Sequence, residues 1–350
     1  MNKHLPLDGL TVKSLLRAKD GSALRCAACA RRCRLEEGAH GACGVRFARG
    51  GELLVPYGYV SALACDPVEK KPFYHVLPGS GALSFGMLGC NFSCRFCQNY
   101  SISQARDPEF FRSEVTEISA TDIVSAAVKC KAKLLVSTYN EPLISLEWAA
   151  DIFKTAGPEY IRAFVSNGYA TPEAVEYIKP HINAYKVDLK CFSNSSYRAM
   201  TGGTLQPVLD TIALLHKSGI WVEVVTLLVP GFNNSPSELK DMAQFLKSVS
   251  PDLPWHITAF HPEYKLQDRH ATSAKQLFEA VETGKNAGLN FVYAGNISGH
   301  DFENTNCPKC GKTVVERKGY TLIGTALKLE KNGTALCKHC GTPIPGIWQV

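Results

Sequence analysis

The sequence predicts an α/β fold built on a parallel sheet, with a cysteine-rich stretch on either side of it. Two observations predict this. Between residues 81 and 300, continuous apolar runs alternate with helical patterns, as repeated βαβ units do when both faces of the sheet are covered. The 14 cysteines, apart from Cys65, Cys130 and Cys191, fall into three groups: 26, 29, 33 and 43; 90, 94 and 97; 307, 310, 337 and 340. Three parts follow: 1–80, a metal-binding and wrapping segment; 81–300, the sheet and its helices; and 301–350, a cysteine-rich tail.

Taken in order, the first part turns charged and proline-containing at Asp66-Pro67-Val68-Glu69-Lys70-Lys71-Pro72, which predicts irregular wrapping chain. Strands are predicted at 82–88, 133–137, 161–165, 182–189, 221–229 and 255–260, most of them runs of Val, Ile and Leu. Ser119 ahead of an amphipathic stretch and Ser235 ahead of Pro236 mark helix starts. About six βα units favour an open, partial barrel over a flat doubly wound sheet. In parallel α/β folds the chemistry lies at the C-terminal ends of the strands.

The apolar fraction of 45% and charged fraction of 20% are those of a globular protein. No apolar run approaches the ~18 residues of a membrane span, and the N-terminal residues lack a signal-peptide pattern. A cytoplasmic protein without membrane contact is expected. In a reducing compartment so many cysteines argue for metal and redox chemistry over disulfides. The net charge of +6 is spread through the chain and reads as a solvated surface.

The first predicted strand empties into Gly89-Cys90-Asn91-Phe92-Ser93-Cys94-Arg95-Phe96-Cys97. The loop is short, so its three thiolates converge. Structural zinc takes four ligands, and an ordinary [4Fe–4S] cluster takes four cysteines. Three thiolates leave one iron open, and the amine and carboxylate of S-adenosylmethionine suit that iron. A zinc site completed by a remote residue is the alternative.

With this motif the chain resembles the radical S-adenosylmethionine (radical SAM) superfamily, in the branch of the pyruvate formate-lyase activating enzymes. It is most similar there to the radical SAM component of the AmmeMemoRadiSam system. The resemblance runs end to end, through CGVR, DPVEKKPFYHVLPGS, GCNFSCRFCQNYSIS, TYNEP, VSNGY, KVDLK, FHP and the CPxCG…CxxCG tail. It implies a partial (β/α)6 barrel, a [4Fe–4S] cluster on Cys90, Cys94 and Cys97, and hydrogen abstraction from a substrate. Tyr139-Asn140-Glu141-Pro142 stands in the place of the superfamily's Gly-Gly-Glu-Pro, which holds the methionyl ammonium. Asn167, Asp188 and Lys190 are implied for the ribose and methionyl carboxylate, and His261 for a position beside the cofactor. A flavodoxin or ferredoxin donor is implied, and Memo-type and AMMECR-type partners by the name of the system.

Cys307-x2-Cys310 and Cys337-x2-Cys340, each followed by glycine, have the spacing of a four-cysteine zinc ribbon. Cys26, Cys29, Cys33 and Cys43 are a less regular set, open to zinc or to an auxiliary iron–sulfur cluster, with Arg31, Arg32 and Arg34 to balance its charge. Cys65, Cys130 and Cys191 read as buried thiols. A nucleic-acid-binding or RNA-modifying protein would also combine metal knuckles with positive charge, but no basic stripe interleaved with aromatics is present, so nucleic acid is disfavoured. A multi-cluster electron carrier would not need so long a chain.

Overall fold

The computed structural model describes residues 9–105, 114–297 and 299–350. Its centre is an eight-stranded sheet: Ala62–Pro67 (β1), Gly81–Gly86 (β2), Ala132–Ser137 (β3), Ile161–Ser166 (β4), Ala184–Asp188 (β5), Trp221–Leu228 (β6), Trp255–Ala259 (β7) and Val292–Gly295 (β8). Each strand lies beside its neighbours in sequence. β1 is antiparallel to β2, and β2 to β8 are parallel. The order never reverses, so there is no switch point of the doubly wound kind, and the C-terminal ends of the parallel strands form one rim.

The helices returning the chain are Ala120–Lys129 (α1), Leu146–Ala156 (α2), Pro172–Ile178 (α3), Asn194–Thr201 (α4), Gln206–Lys217 (α5), Pro236–Val249 (α6) and Ala274–Asn286 (α7). The caps read from sequence form: Ser119 accepts from the Asp122 N–H, and Ser235 from the Glu238 N–H, with Pro236 in the first turn. Among the described residues, no helix is long and apolar enough to cross a membrane.

The structure adds two strands to the six predicted. β8 is only four residues, Val-Tyr-Ala-Gly, too short a run to distinguish from loop by pattern. β1 includes Asp66 and Pro67, expected to be irregular. It is a largely exposed edge strand, where proline costs no sheet hydrogen bond and where an apolar signature is absent. A 3-10 turn, Val68–Lys70, follows it.

Tyr74 and His75 run beneath the sheet near the starts of its last strands. Their N–H groups donate to the buried Glu223 carboxylate (3.0 Å each), which also takes His256 Nε2 at 2.6 Å. His75 Nε2 meets the Tyr293 hydroxyl and its Nδ1 the Pro345 carbonyl, both at 2.6 Å. The tail consists of two three-stranded antiparallel sheets. Its Val314, Val315, Leu327 and Trp348 share a small core with Tyr74, Phe291 and Tyr293. The N-terminal segment also forms two three-stranded sheets, packed into the main core at the opposite, C-terminal rim.

Candidate active site

The loop after β2 is clamped before it reaches its cysteines. Gly89 N–H donates to the Ile102 carbonyl (2.8 Å), Ser93 N–H to Thr201 (2.8 Å) and Arg95 N–H to Met200 (3.0 Å), so the end of α4 holds the motif in place. Phe92 N–H donates to Cys90 Sγ at 3.4 Å, and Cys97 Sγ lies 3.2 Å from the Ser103 hydroxyl. Cys90, Cys94 and Cys97 line one cavity of about 390 Å³. No fourth cysteine and no histidine is among the described residues lining it. Burial pushes all three thiols up, Cys94 to about 12, so thiolates here need a cationic partner. The three sulfurs do not all lie within 4.8 Å of one another, which is too open for the tetrahedron of a single zinc ion.

The next rim segment packs directly on this loop. Tyr139 takes a left-handed φ of 71°, and Gly86 leaves room for it. A Cβ at residue 86 would stand 2.6 Å from the Thr138 carbonyl oxygen and 2.9 Å from Tyr139 Cβ. Lys71 Nζ donates to the Tyr139 hydroxyl (3.2 Å) and lies 4.8 Å from its ring centre. Asn140 Oδ1 accepts from the Met87 N–H (3.1 Å), while its Nδ2 is buried without a partner. Glu141 is buried and accepts from Leu143 N–H (3.0 Å), the Ser166 hydroxyl (2.6 Å) and Asn167 N–H (2.8 Å). It makes no ion pair among the described residues, and burial raises its carboxyl to about 7 against those three donors.

Asn167, Asp188 and Lys190 line the same cavity. Asn167 Nδ2 is already committed to Asn91 Oδ1 (2.7 Å), 3.9 Å from Cys90 Sγ, so it braces the cysteine loop. Lys190 Nζ donates to Asp188 Oδ2 at 2.8 Å, and Lys186 stands 3.7 Å from Oδ1. Burial alone would raise the Asp188 carboxyl, but the two lysines bring it below its ordinary value. Lys190 goes above its ordinary value despite burial, held there chiefly by the Asp188 carboxylate.

His261 is a correction. It is exposed, lies beyond the end of β7, and does not line the cavity. Thr258, inside β7, lines the cavity, whereas His261 lies past the end of the strand at Ala259, where strand alternation no longer sets its direction. Sequence reasoning missed Lys186 and Asn91, and Lys71 was open between the substrate mouth and a packing role. Lys186 was findable, because residues 186, 188 and 190 share a strand face. Asn91 sits inside the cysteine motif but acts through contacts that only folding creates. Of the wrapping run, Lys70, Lys71 and Pro72 border the cavity, whereas Tyr74 and His75 are packing residues at the other end of the sheet.

Cys307, Cys310, Cys337 and Cys340 have their four sulfurs all within 4.8 Å of one another. Cys26, Cys29, Cys33 and Cys43 line a second, largely enclosed cavity with Ala28, Leu35, Ile144 and Arg46. Of the three arginines expected beside this set, Arg31 lines the cavity, whereas Arg32 and Arg34 pair with Glu173 and Glu36 on the surface. Arg46 joins Arg31 there, fully buried, bonded to Glu147, the Ile144 carbonyl and Ser14, with Nη1 at 4.0 Å from Cys26 Sγ. Cys191 is buried as expected, but Cys65 and Cys130 are exposed, because β1 and the end of α1 form an edge of the fold.

The model of the radical SAM superfamily matches residues 86–246. The uncharacterized protein MJ0808 of Methanocaldococcus jannaschii is 36% identical over 328 residues, covering 93% of this chain and 96% of the relative. The pyruvate formate-lyase-activating enzyme of Clostridium pasteurianum is 21% identical over 202 residues, 52% of this chain and 81% of that protein. A domain of the pyruvate-formate lyase-activating enzyme from Bacteroides vulgatus aligns with a TM-score of 0.40 at 18% identity, over 46% of this chain and 98% of that one. The chain belongs to the radical SAM superfamily. It is therefore an enzyme, and membership implies an iron–sulfur cluster and S-adenosylmethionine as its cofactors.

Proposed function

We propose that Cys90, Cys94 and Cys97 hold three irons of a [4Fe–4S] cluster and that the ends of β3 to β5 hold S-adenosylmethionine on the fourth. The observation that carries this is one cavity faced by three converging thiols, an unpartnered amide nitrogen on Asn140 and a carboxylate on Glu141 with no internal cation. When bound, cluster and cofactor together supply a 5′-deoxyadenosyl radical by one-electron cleavage of a carbon–sulfur bond. Glu141, fixed by three donors, keeps acceptor capacity for the methionyl ammonium. Tyr139 and Asn140 form the turn against which that end rests. Lys190 offers its ammonium to the methionyl carboxylate, and Asp188 accepts from the ribose hydroxyls. Asn167 holds the Cys90 loop at its working distance. Burial of Cys94, Asn140, Glu141 and Asn167 limits water at the reacting centre.

On this reading the sheet is a partial (β/α)6 barrel and the tail is a zinc ribbon. The Cys307–Cys340 and Cys310–Cys337 sulfur separations, 3.6 and 3.8 Å, support zinc, since thiolates about 2.3 Å from one tetrahedral ion stand about 3.8 Å apart. The enzyme is cytoplasmic, of the AmmeMemoRadiSam kind. It is reduced by a flavodoxin or ferredoxin and takes a hydrogen atom from a partner protein in the manner of an activating enzyme, with Memo-type and AMMECR-type proteins as associates. The motifs along the whole chain support that assignment, and co-purification of those proteins tests it.

The test of the central reading is anaerobic reconstitution, reduction with dithionite, and assay of 5′-deoxyadenosine from S-adenosylmethionine. Wild type forms it and Cys94→Ala does not. A reconstituted wild-type cluster that leaves the cofactor intact would sink the reading.

A further inference from the structure

We propose that Cys26, Cys29, Cys33 and Cys43 hold a second iron–sulfur cluster, set back to back with the Cys90 site, and not a zinc ion. The first ground is an internal comparison. All 14 cysteines lie among the described residues, and only the tail group brings its sulfurs within 4.8 Å of one another. Its 3.6 and 3.8 Å separations are the edges of a single-ion tetrahedron. No three of the N-terminal sulfurs meet that distance, although all four line one enclosed cavity. The Cys90, Cys94 and Cys97 sulfurs do not meet that distance either. Thiolates on different irons of one cluster must stand farther apart than thiolates sharing one ion, because the irons and their bridging sulfides lie between them.

The second ground is the lining. Ala28, Leu35 and Ile144 close the N-terminal cavity, and donors point at its sulfurs: Ala42 N–H to Cys33 Sγ at 3.4 Å, and Arg46 Nη1 4.0 Å from Cys26 Sγ. Four thiolates, an apolar shell and hydrogen bonds to sulfur are what an iron–sulfur cluster requires of a protein.

The third ground is position. The two sites meet on both sides of Cys90. At residue 89, a Cβ would stand 2.7 Å from the Cys43 carbonyl oxygen and 2.9 Å from both methyl carbons of Val45, so only glycine admits this approach, at φ +91°. At residue 91, the buried Asn91 Nδ2 has no hydrogen-bond partner, and the side chain lies close enough to Cys29 to lower its thiol against the effect of burial. Its Oδ1 accepts from Asn167 beside Cys90. Arg31 fastens the seam from the N-terminal side, donating to the Asn91 carbonyl at 3.0 Å.

The inference uses the active-site reading only for the comparison between cysteine groups, and its test separates the two. Iron, acid-labile sulfide and zinc are counted on anaerobically reconstituted full-length protein, with EPR spectra of the reduced samples. Cys90→Ala/Cys94→Ala/Cys97→Ala is expected to keep between about one third and one half of the wild-type iron, with matching sulfide, according to the nuclearity of the second cluster. Its reduced signal should not change when S-adenosylmethionine is added. Cys26→Ala/Cys33→Ala should lose that share and keep the signal that does change. Wild type should carry about one zinc per chain, on the tail. About two zinc ions per wild-type chain, with an iron-free triple variant, would overturn the proposal. The wild-type zinc count decides the matter even where a variant fails to fold. If the Cys90 reading alone fails, no sample responds to S-adenosylmethionine, and the triple variant still holds iron.

Discussion

The two ends of the chain each carry four cysteines, and in sequence they differ by little more than regularity. Folded, they differ in kind. At the tail, two CxxC turns face each other from separate three-stranded sheets. In each turn the N–H of the following glycine, Gly311 or Gly341, donates to the carbonyl of the first cysteine, at 2.9 and 2.8 Å. The sulfurs are drawn to one point, and the fragment has a modest core of its own to depend on. At the N-terminus the four thiols come from a strand end, a turn and two loops around an apolar space, and the segment is built into the main core against the Cys90 loop. One group secures a small appendage at the starts of the last strands, whereas the other packs behind the Cys90 loop, with Cys43 and Val45 against Gly89. Cysteine count alone does not separate a staple from a working site; the sulfur spacing and what the loops touch do.

The largest effect that would break this contrast lies in the tail. Cys310→Ala/Cys340→Ala should lose the zinc proposed for the tail and unfold residues 313–344, since metal binding supplies on the order of 10 kcal/mol to small zinc-folded units. Hydrogen exchange should show protection lost at Thr313–Lys318 and kept at β3 to β5, with 5′-deoxyadenosine formation retained. Loss of exchange protection throughout the sheet would mean the tail is no separate staple.

An intermediate effect should come from acid. Burial lowers the His75 imidazole to about 4, and His256 is lowered for the same reason. Both are therefore neutral in the native state. Their contribution is complete above about pH 6.5, the ordinary value, and declines as pH falls toward about 4. For His75 the difference amounts to about 3 kcal/mol. Tail protection measured by hydrogen exchange should fall between pH 6.5 and 5, more steeply in wild type than in His75→Gln. Equal slopes would show that His75 does not titrate on this path.

A smaller effect, at the other end, sharpens the contrast. Gly89→Ala meets the Cys43 carbonyl and a left-handed backbone together, and should cost about 2 kcal/mol or more. If both groups hold the clusters proposed for them, iron should fall at the Cys90 and Cys26 groups, while the metal content of the tail is unchanged. Iron lost from the Cys90 group alone would mean the two loops are not coupled.

Much of this was legible before folding. The six predicted strands stand within a few residues of their positions, because strands buried on both faces must be continuous apolar runs. Cys90, Cys94, Cys97, Glu141 and Asp188 were findable because residues at strand ends in a parallel fold share one rim. Edge strand β1 was not legible, since an edge facing solvent carries no apolar signature. His261 was not legible because the chain leaves β7 at Ala259, and strand alternation does not set direction beyond it.

The residue order by itself determined the superfamily, the parallel α/β sheet and the three cysteine groups, because these depend on local periodicity and on ligands close together along the chain. Only the tertiary structure decided that Arg46, and not Arg32 or Arg34, faces the N-terminal cysteines, and that Asn91 stands between Cys29 and Asn167. It also decided that Tyr74 and His75 pack beneath the sheet while Lys71 borders the cavity. Those outcomes depend on which distant segments share a buried boundary, and desolvation at such a boundary acts on distance in space, whatever the separation in sequence.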